Sequence, residues 1–261
     1  MPEQNDTVIL EIKENIAVII LNRPRVMNAF NDELVKMFYS ILKKIANDSS
    51  IRAVVITGAG KAFSAGGDLN YLSSLGPVEA REFIKSVGDI VRKIMTMEKP
   101  VVAMVNGVAA GAGFNLALAC DIVFCADSAR FGQSFAKVGL IPDCGGLYLL
   151  PRAVSIYKAK ELMFTGKLIE AEEALHLGIV NQIIEKEKLQ EFVCQFTRDL
   201  AEGSPLALSI TKSMLNRSGE MTLDDVLENE NAQQTVCMQT EDFREGTAAF
   251  REKRKPVFKG R

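Results

Sequence analysis

VVITGAGKAFSAGGDL (residues 54–69) and VVAMVNGVAAGAGFNLALACDIVFCAD (residues 101–127) decide the fold. Each opens on a short, unbroken apolar run rich in β-branched residues, which is how a strand buried on both faces reads. Each then enters a glycine-rich turn, and a helix follows. The unit strand, Asn- or Gly-containing turn, helix recurs as a weak internal repeat of α/β type. Neither turn is a nucleotide loop. TGAGKAFSAGG lacks GxxxxGK[ST], and GAGFNLALA lacks the third glycine of GxGxxG. Two readings of these glycines stand side by side. They allow tight turns and close backbone approach, or they aim N–H groups at an anion or polarised oxygen.

Working outward, residues 7–22 alternate as a hairpin, and Asn31 caps a helix opened by Asp32 and Glu33. A helix over about 78–97 stops near Lys99-Pro100, because the residue before proline is pushed out of the helical region. DIVFCAD and GIVNQII complete the strands. From about Glu187 onward the pattern is helical throughout. We therefore expect a core over residues 1–190 and a helical region over 191–261, which must bury its apolar faces on the core or on another subunit.

The net charge of −2, with both signs interspersed, gives no basic surface for nucleic acid. No apolar run approaches a membrane span, and MPEQNDTV lacks the basic start and apolar core of a signal peptide. The cysteines Cys120, Cys125, Cys144, Cys194 and Cys237 are odd in number and show no CxxC, so a reducing, cytoplasmic setting is expected. His176 is the only histidine and sits at the end of a predicted helix. That excludes Ser–His–Asp and Cys–His catalysis and histidine-rich metal sites, and no metal site is expected. Proton transfer then falls to a carboxylate, Lys, Tyr or Cys.

FSAGGDL followed by NGVAAGAGFNLALACDIVFCAD resembles the crotonase (enoyl-CoA hydratase/isomerase) superfamily. The likeness continues through LNRPRVMNAFN (21–31), ARFGQ (129–133), VGLIPDCGG (138–146), FTGKLIEAEEALHLGIVN (164–181) and FREKRKPVFKG (250–260). It implies an α/β fold, a crotonase-like spiral of ββα units with a C-terminal helical region, assembled as a homotrimer or homohexamer. It also implies an acyl-CoA substrate, no nucleic acid or membrane partner, and no cofactor beyond the coenzyme A of the substrate itself.

The resemblance places an oxyanion hole at the N–H groups of Gly67 and Ala112. Many relatives carry glycine at the second position, but alanine keeps the N–H. It assigns substrate binding to Arg25, Val26, Asn28, Ala65, Gly66, Asp68, Leu69, Ala110, Gly111, Phe135 and Pro142. Phe258 and Lys259 join them from the basic tail, by way of a neighbouring subunit. Asp68 is also placed to cap the helix after its loop. Two glutamates of the hydratases would fall at Asn115 and Phe135 and are absent. FAKVGLIPDCGG resembles ring-1,2-epoxyphenylacetyl-CoA isomerases and Δ3,Δ2-enoyl-CoA isomerases, which implies that Asp143 is the catalytic acid/base. By its residue pattern alone Asp143 also fits an N-cap for the following helix. Leu140, Ile141 and Phe135 are expected to desolvate it. The expectation is an acyl-CoA isomerase with one carboxylate. A hydratase or hydrolase activating water at Asp143, and a non-catalytic acyl-CoA-binding scaffold, are the alternatives.

Overall fold

The computed structural model describes residues 6–261; residues 1–5 of the expected core lie outside the described residues. Strands β1 (Val8–Lys13) and β2 (Ile16–Leu21) form the expected antiparallel hairpin, Val8 opposite Leu21. Helix α1 (Asp32–Asn47) starts where the Asn31 side chain accepts the Leu34 N–H at 3.1 Å, the cap read from sequence. Its buried Leu34, Val35, Phe38, Leu42 and Ile45 form one helical stripe.

Three units then repeat. Strands β3 (Ala53–Gly58) and β4 (Ala62–Ser64) lead into α2 (Leu69–Leu72) and α3 (Pro77–Thr96). Strands β5 (Val101–Val105) and β6 (Val108–Ala110) lead into α4 (Ala112–Leu118). Strands β7 (Ile122–Ala126) and β8 (Arg130–Gly132) lead through a 3-10 turn, Ser134–Val138, to α5 (Gly146–Ala153) and α6 (Ile156–Thr165). After β9 (Leu168–Glu170) and α7 (Ala171–His176), β10 (Gln182–Ile184) ends the strands. Helices α8 (Lys186–Ala201), α9 (Pro205–Ser218), α10 (Leu223–Met238) and α11 (Glu241–Glu252) follow.

The longer strand of each unit joins a six-stranded sheet, order β1-β2-β3-β5-β7-β10, parallel except for the hairpin. The short second strand bends into a four-stranded sheet, order β4-β6-β8-β9. The bends stack closely: a Cβ on Gly107 would lie 2.0 Å from the Lys61 carbonyl oxygen, so only glycine fits there. β3 and β5 are buried along their whole length, as their unbroken apolar runs require. Alternate residues serve two cores. Val54 and Ile56 join α1 and α3, whereas Ala53 and Val55 join Leu189 and Val193 of α8.

That last contact cuts across the expected boundary. Residue 190 falls inside α8, and α8 covers one face of the main sheet rather than belonging with the later helices. α9 and α10 have no buried residue in the single chain. α9 is tied to the core by Lys212, whose side chain is 8% exposed. Its Nζ lies 2.8 Å from an Asp121 carboxylate oxygen and donates to the Ile94 and Lys99 carbonyls at 2.8 and 3.0 Å. Among the described residues no helix is long and apolar enough to cross a membrane.

Candidate active site

The first expected donor is set by strand-like pairing outside the sheets. The Phe30 N–H donates to the Gly66 carbonyl at 2.7 Å, and the Asp68 N–H donates to the Phe30 carbonyl at 2.9 Å. A trans peptide points its C=O and N–H in opposite directions. The Gly67 N–H is therefore aimed away from Phe30. Among the described residues it donates to no backbone acceptor. Gly66 has φ +89°, and a Cβ there would sit 2.8 Å from the Ala110 oxygen and 2.9 Å from the Ala112 nitrogen. Glycine is thus required both for the left-handed turn and for the approach of the two loops.

The second donor opens α4. Gly111, at φ +53° and ψ −127°, directs its carbonyl to the Asn115 N–H at 3.1 Å. Ala112 is the first helical residue, so its N–H has no partner within the helix and points out of the N-terminus. It too meets no backbone acceptor among the described residues. Gly113 seats the helix: a Cβ there would lie 2.3 Å from the Ser64 carbonyl oxygen. Two N–H groups without backbone partners among the described residues therefore sit on two tightly packed loops, with the partial positive charge of a helix start behind one of them.

Asp143 lies in the turn before α5. Cys144 and Gly145 follow in the left-handed region, at φ +50° and +74°. Asp143 does not cap α5. The N-cap is Gly145, and no side chain caps that helix. Asp143 Oδ1 is buried and takes no hydrogen bond among the described residues. Burial, partly offset by its own backbone N–H, pushes the carboxyl up to about 6. Desolvation is the cause expected; of the three residues named for it, Phe135 is buried and Leu140 and Ile141 are exposed. What sits under the turn is Asn115, fully buried, whose Nδ2 donates to the Asp143 carbonyl at 2.8 Å. Asn115 Oδ1 in turn accepts from Gln133 Nε2 at 2.6 Å.

Ala65, Gly66, Ala110, Gly111 and Phe135 gather around the start of α4. The Arg25–Val26 turn is exposed, and the chain just after it runs beside the Gly67 loop, where the Ala65 N–H donates to the Met27 carbonyl at 2.9 Å. Leu69 is exposed at the start of α2, and Pro142 is half-buried beside Asp143. Ala110 ends β6, and the Phe135 ring lies 3.6 Å from where a Gly111 Cβ would be.

Asn28 is corrected. It is fully buried, its amide donates to the Ala59, Ala62 and Phe63 carbonyls at 2.9, 2.8 and 3.3 Å, and its Oδ1 accepts the Arg23 N–H at 2.9 Å. It binds the loops together, and no polar atom of its side chain is left for substrate. Asn28→Ala should cost at least about 3 kcal/mol in urea unfolding, since each buried polar group left unpaired costs about 1–3 kcal/mol.

Asp68 is likewise structural. It caps α2 by accepting the Asn70 and Tyr71 N–H groups and pairs with both terminal nitrogens of Arg23 at 3.0 Å. Phe258 and Lys259 are not brought to the site within one chain. Phe258 lines a groove with Gly246 and Phe250, and the Lys259 N–H donates to Asp242 Oδ1 at 2.7 Å. A cleft of about 1240 Å³ between α3 and α9 takes in Lys259 but not Gly67, Ala112 or Asp143. His176 ends α7, exposed, as expected.

Sequence reasoning missed Arg23, Ser64 and Gln133. Ser64 Oγ donates to the Asn28 carbonyl at 2.9 Å and accepts the Gly66 N–H at 3.1 Å. Arg23 and Ser64 lie inside quoted motifs, but nothing in their spacing marks them as clamps.

A spiral of strand–turn–helix units that builds two sheets, with the Gly66 turn packed against the start of α4, defines a crotonase-fold protein. The chain matches the enoyl-CoA hydratase/isomerase family over residues 11–261. It is 37% identical to a short-chain-enoyl-CoA hydratase of Clostridium acetobutylicum, covering 96% of each chain. It is 38% identical to a 1,2-epoxyphenylacetyl-CoA isomerase of Escherichia coli, covering 97% of this chain and 98% of the relative. An enoyl-CoA hydratase from Bacillus anthracis superposes with a TM-score of 0.95 at 32% identity, covering 98% of this chain and 100% of the other. The chain belongs to the enoyl-CoA hydratase/isomerase family.

Proposed function

We propose that the protein is an acyl-CoA isomerase that works with one carboxylate. The observation that carries this reading is the half-buried Asp143 carboxyl, raised to about 6, whose buried Oδ1 takes no hydrogen bond among the described residues and which does not cap α5. The thioester oxygen accepts hydrogen bonds from the Gly67 and Ala112 N–H groups, so the charge of an enolate developing on that oxygen is stabilised. Asp143 takes a proton from one carbon of the acyl group, leaving the dienolate, and returns the same proton at another carbon. Nothing is oxidised and no water is consumed. No metal or redox cofactor is invoked in these steps. The E. coli relative carries an isomerase name, which favours the same reading.

Hydration is the second reading, favoured by the name of the Clostridium relative. Against it, Phe135 cannot move a proton, and the Asn115 amide is engaged by Asp143 and Gln133. Isomerisation of a 3-enoyl-CoA should therefore outpace hydration of crotonyl-CoA at matched concentrations. Faster hydration would overturn the single-carboxylate mechanism.

We further propose that the chain works as an oligomer, a trimer or hexamer, with the Phe258–Lys259 tail serving a neighbour's site. Leu215, Leu223, Val236 and Phe250 are exposed on α9, α10 and α11. Light scattering at micromolar concentration should give at least three chain masses, and a monomer would refute this.

A further inference from the structure

We infer that Gln133 is a positioning residue for Asp143, acting through the Asn115 side-chain amide. The inference rests on Asp143 being the acid/base and adds what holds it in place.

Hydrogen-bond direction fixes the relay. The Asp143 main-chain oxygen can only accept, so the group of Asn115 that meets it at 2.8 Å is the NH₂. Asn115 Oδ1 then faces Gln133, which must present its own NH₂, at 2.6 Å. Both amides are fully buried. In so dry a site water does not readily replace a lost bond. The turn is wrapped closely on this relay, because a Cβ on Gly146 would lie 2.3 Å from Asn115 Nδ2. The Gly146 N–H also donates to the same Asp143 oxygen at 2.9 Å. Two donors thus fix the Asp143 carbonyl, whereas the buried Oδ1 of its carboxylate has no hydrogen-bond partner among the described residues. The aim of the carboxylate is set from its main chain.

Asn115 also stands three residues after Ala112, on the same helix face. One short helix therefore carries an oxyanion donor at its first residue and the anchor of the acid one turn later. Gln133, just after β8, locks that anchor from the neighbouring sheet. This explains an amide at position 115. A carboxylate at position 115 would oppose the Asp143 carbonyl with a second acceptor.

The test uses Gln133→Met and Gln133→Glu, each alone and with Asp143→Asn, assayed for isomerisation of a trans-3-enoyl-CoA across pH 5–9. Gln133→Met should lower kcat by about 10- to 100-fold with KM within about threefold, as expected for a displaced reacting group. With Asp143→Asn already present it should lower the residual rate no further, because the two act as a unit. Gln133→Glu should retain activity above the Asp143 limb near 6 for as long as its own buried carboxyl stays protonated and donates to Asn115. It should lose activity as that carboxyl ionises and turns Asn115 away, giving a falling alkaline limb absent from the wild type. If Asp143→Asn is inactive but Gln133→Met leaves kcat and pH profile unchanged, this inference is wrong while the single-carboxylate mechanism stands. An equal loss from Gln133→Met in both backgrounds also refutes it. Near-normal turnover of Asp143→Asn removes the mechanism itself, and this inference with it.

Discussion

Asp143→Asn is expected to cut isomerase turnover by about 10²–10⁴, the range for losing general acid–base catalysis, while acyl-CoA affinity persists. The size of the side chain is kept and only proton acceptance is lost. The backbone donors at Gly67 and Ala112 are untouched, so ground-state binding should be nearly unchanged. Activity of the wild type should rise with pH through about 6, because the base must be ionised and its carboxyl sits there. Stability should run the other way. The folded-state value is raised from 3.8 to about 6, so the folded chain holds this proton more tightly than the unfolded chain. Stability therefore falls as pH rises across that window, by an amount of order a few kcal/mol at most, at about 1.4 kcal/mol per unit. Asparagine carries no such penalty. The variant should melt together with the wild type near pH 4 and above it at pH 8, by a few degrees for a chain of this length. A variant that melts lower at pH 8 and keeps its turnover would mean that Asp143 is a structural residue.

Stability that improves when a carboxylate is removed is the mark of a group held in place for chemistry, and residue type alone does not show it. The sequence placed Asp143 before a Gly pair, which fits both a helix cap and a base. Only the geometry separates them, because Gly145 rather than Asp143 caps α5. The main elements were legible for a simple reason. VVITG and VVAMV are buried on both faces, and burial on both faces leaves an unbroken apolar run. Asn31 capped its helix as its type and position indicated. The second sheet was not legible. AFS, VAA, RFG and LIE are three residues each, too short to show a period of two, and the first two are embedded in glycine-rich turns. Asn28 lies in a motif that the resemblance assigns to substrate binding, yet its side-chain amide bonds to carbonyls some thirty positions away. Gln133 is likewise defined by distant partners. Its meaning lies in Asn115 and Asp143, to which it is linked through space, and no local pattern encodes that link.

The donors themselves are backbone groups, which side-chain substitution ordinarily cannot delete, but Ala112 offers an exception. It is the first residue of α4, the one helical position where proline is favoured, since the N–H there has no partner in the helix and φ near −65° suits the turn. The restriction proline places on its predecessor falls on Gly111, which has no Cβ to clash. Ala112→Pro should therefore keep α4 and remove one N–H from the site. Turnover should fall by about 10²–10³, the cost of one oxyanion donor, with the acidic limb of the pH profile still near the wild-type position because Asp143 is unaltered. Ala112→Gly, which keeps the N–H, should retain turnover within a few-fold and serves as the control. If the folded proline variant turned over within threefold of the wild type, the Ala112 N–H would not be stabilising the developing charge. The single remaining donor would then be Gly67, aimed by Phe30 and clamped through Asp68 and Arg23.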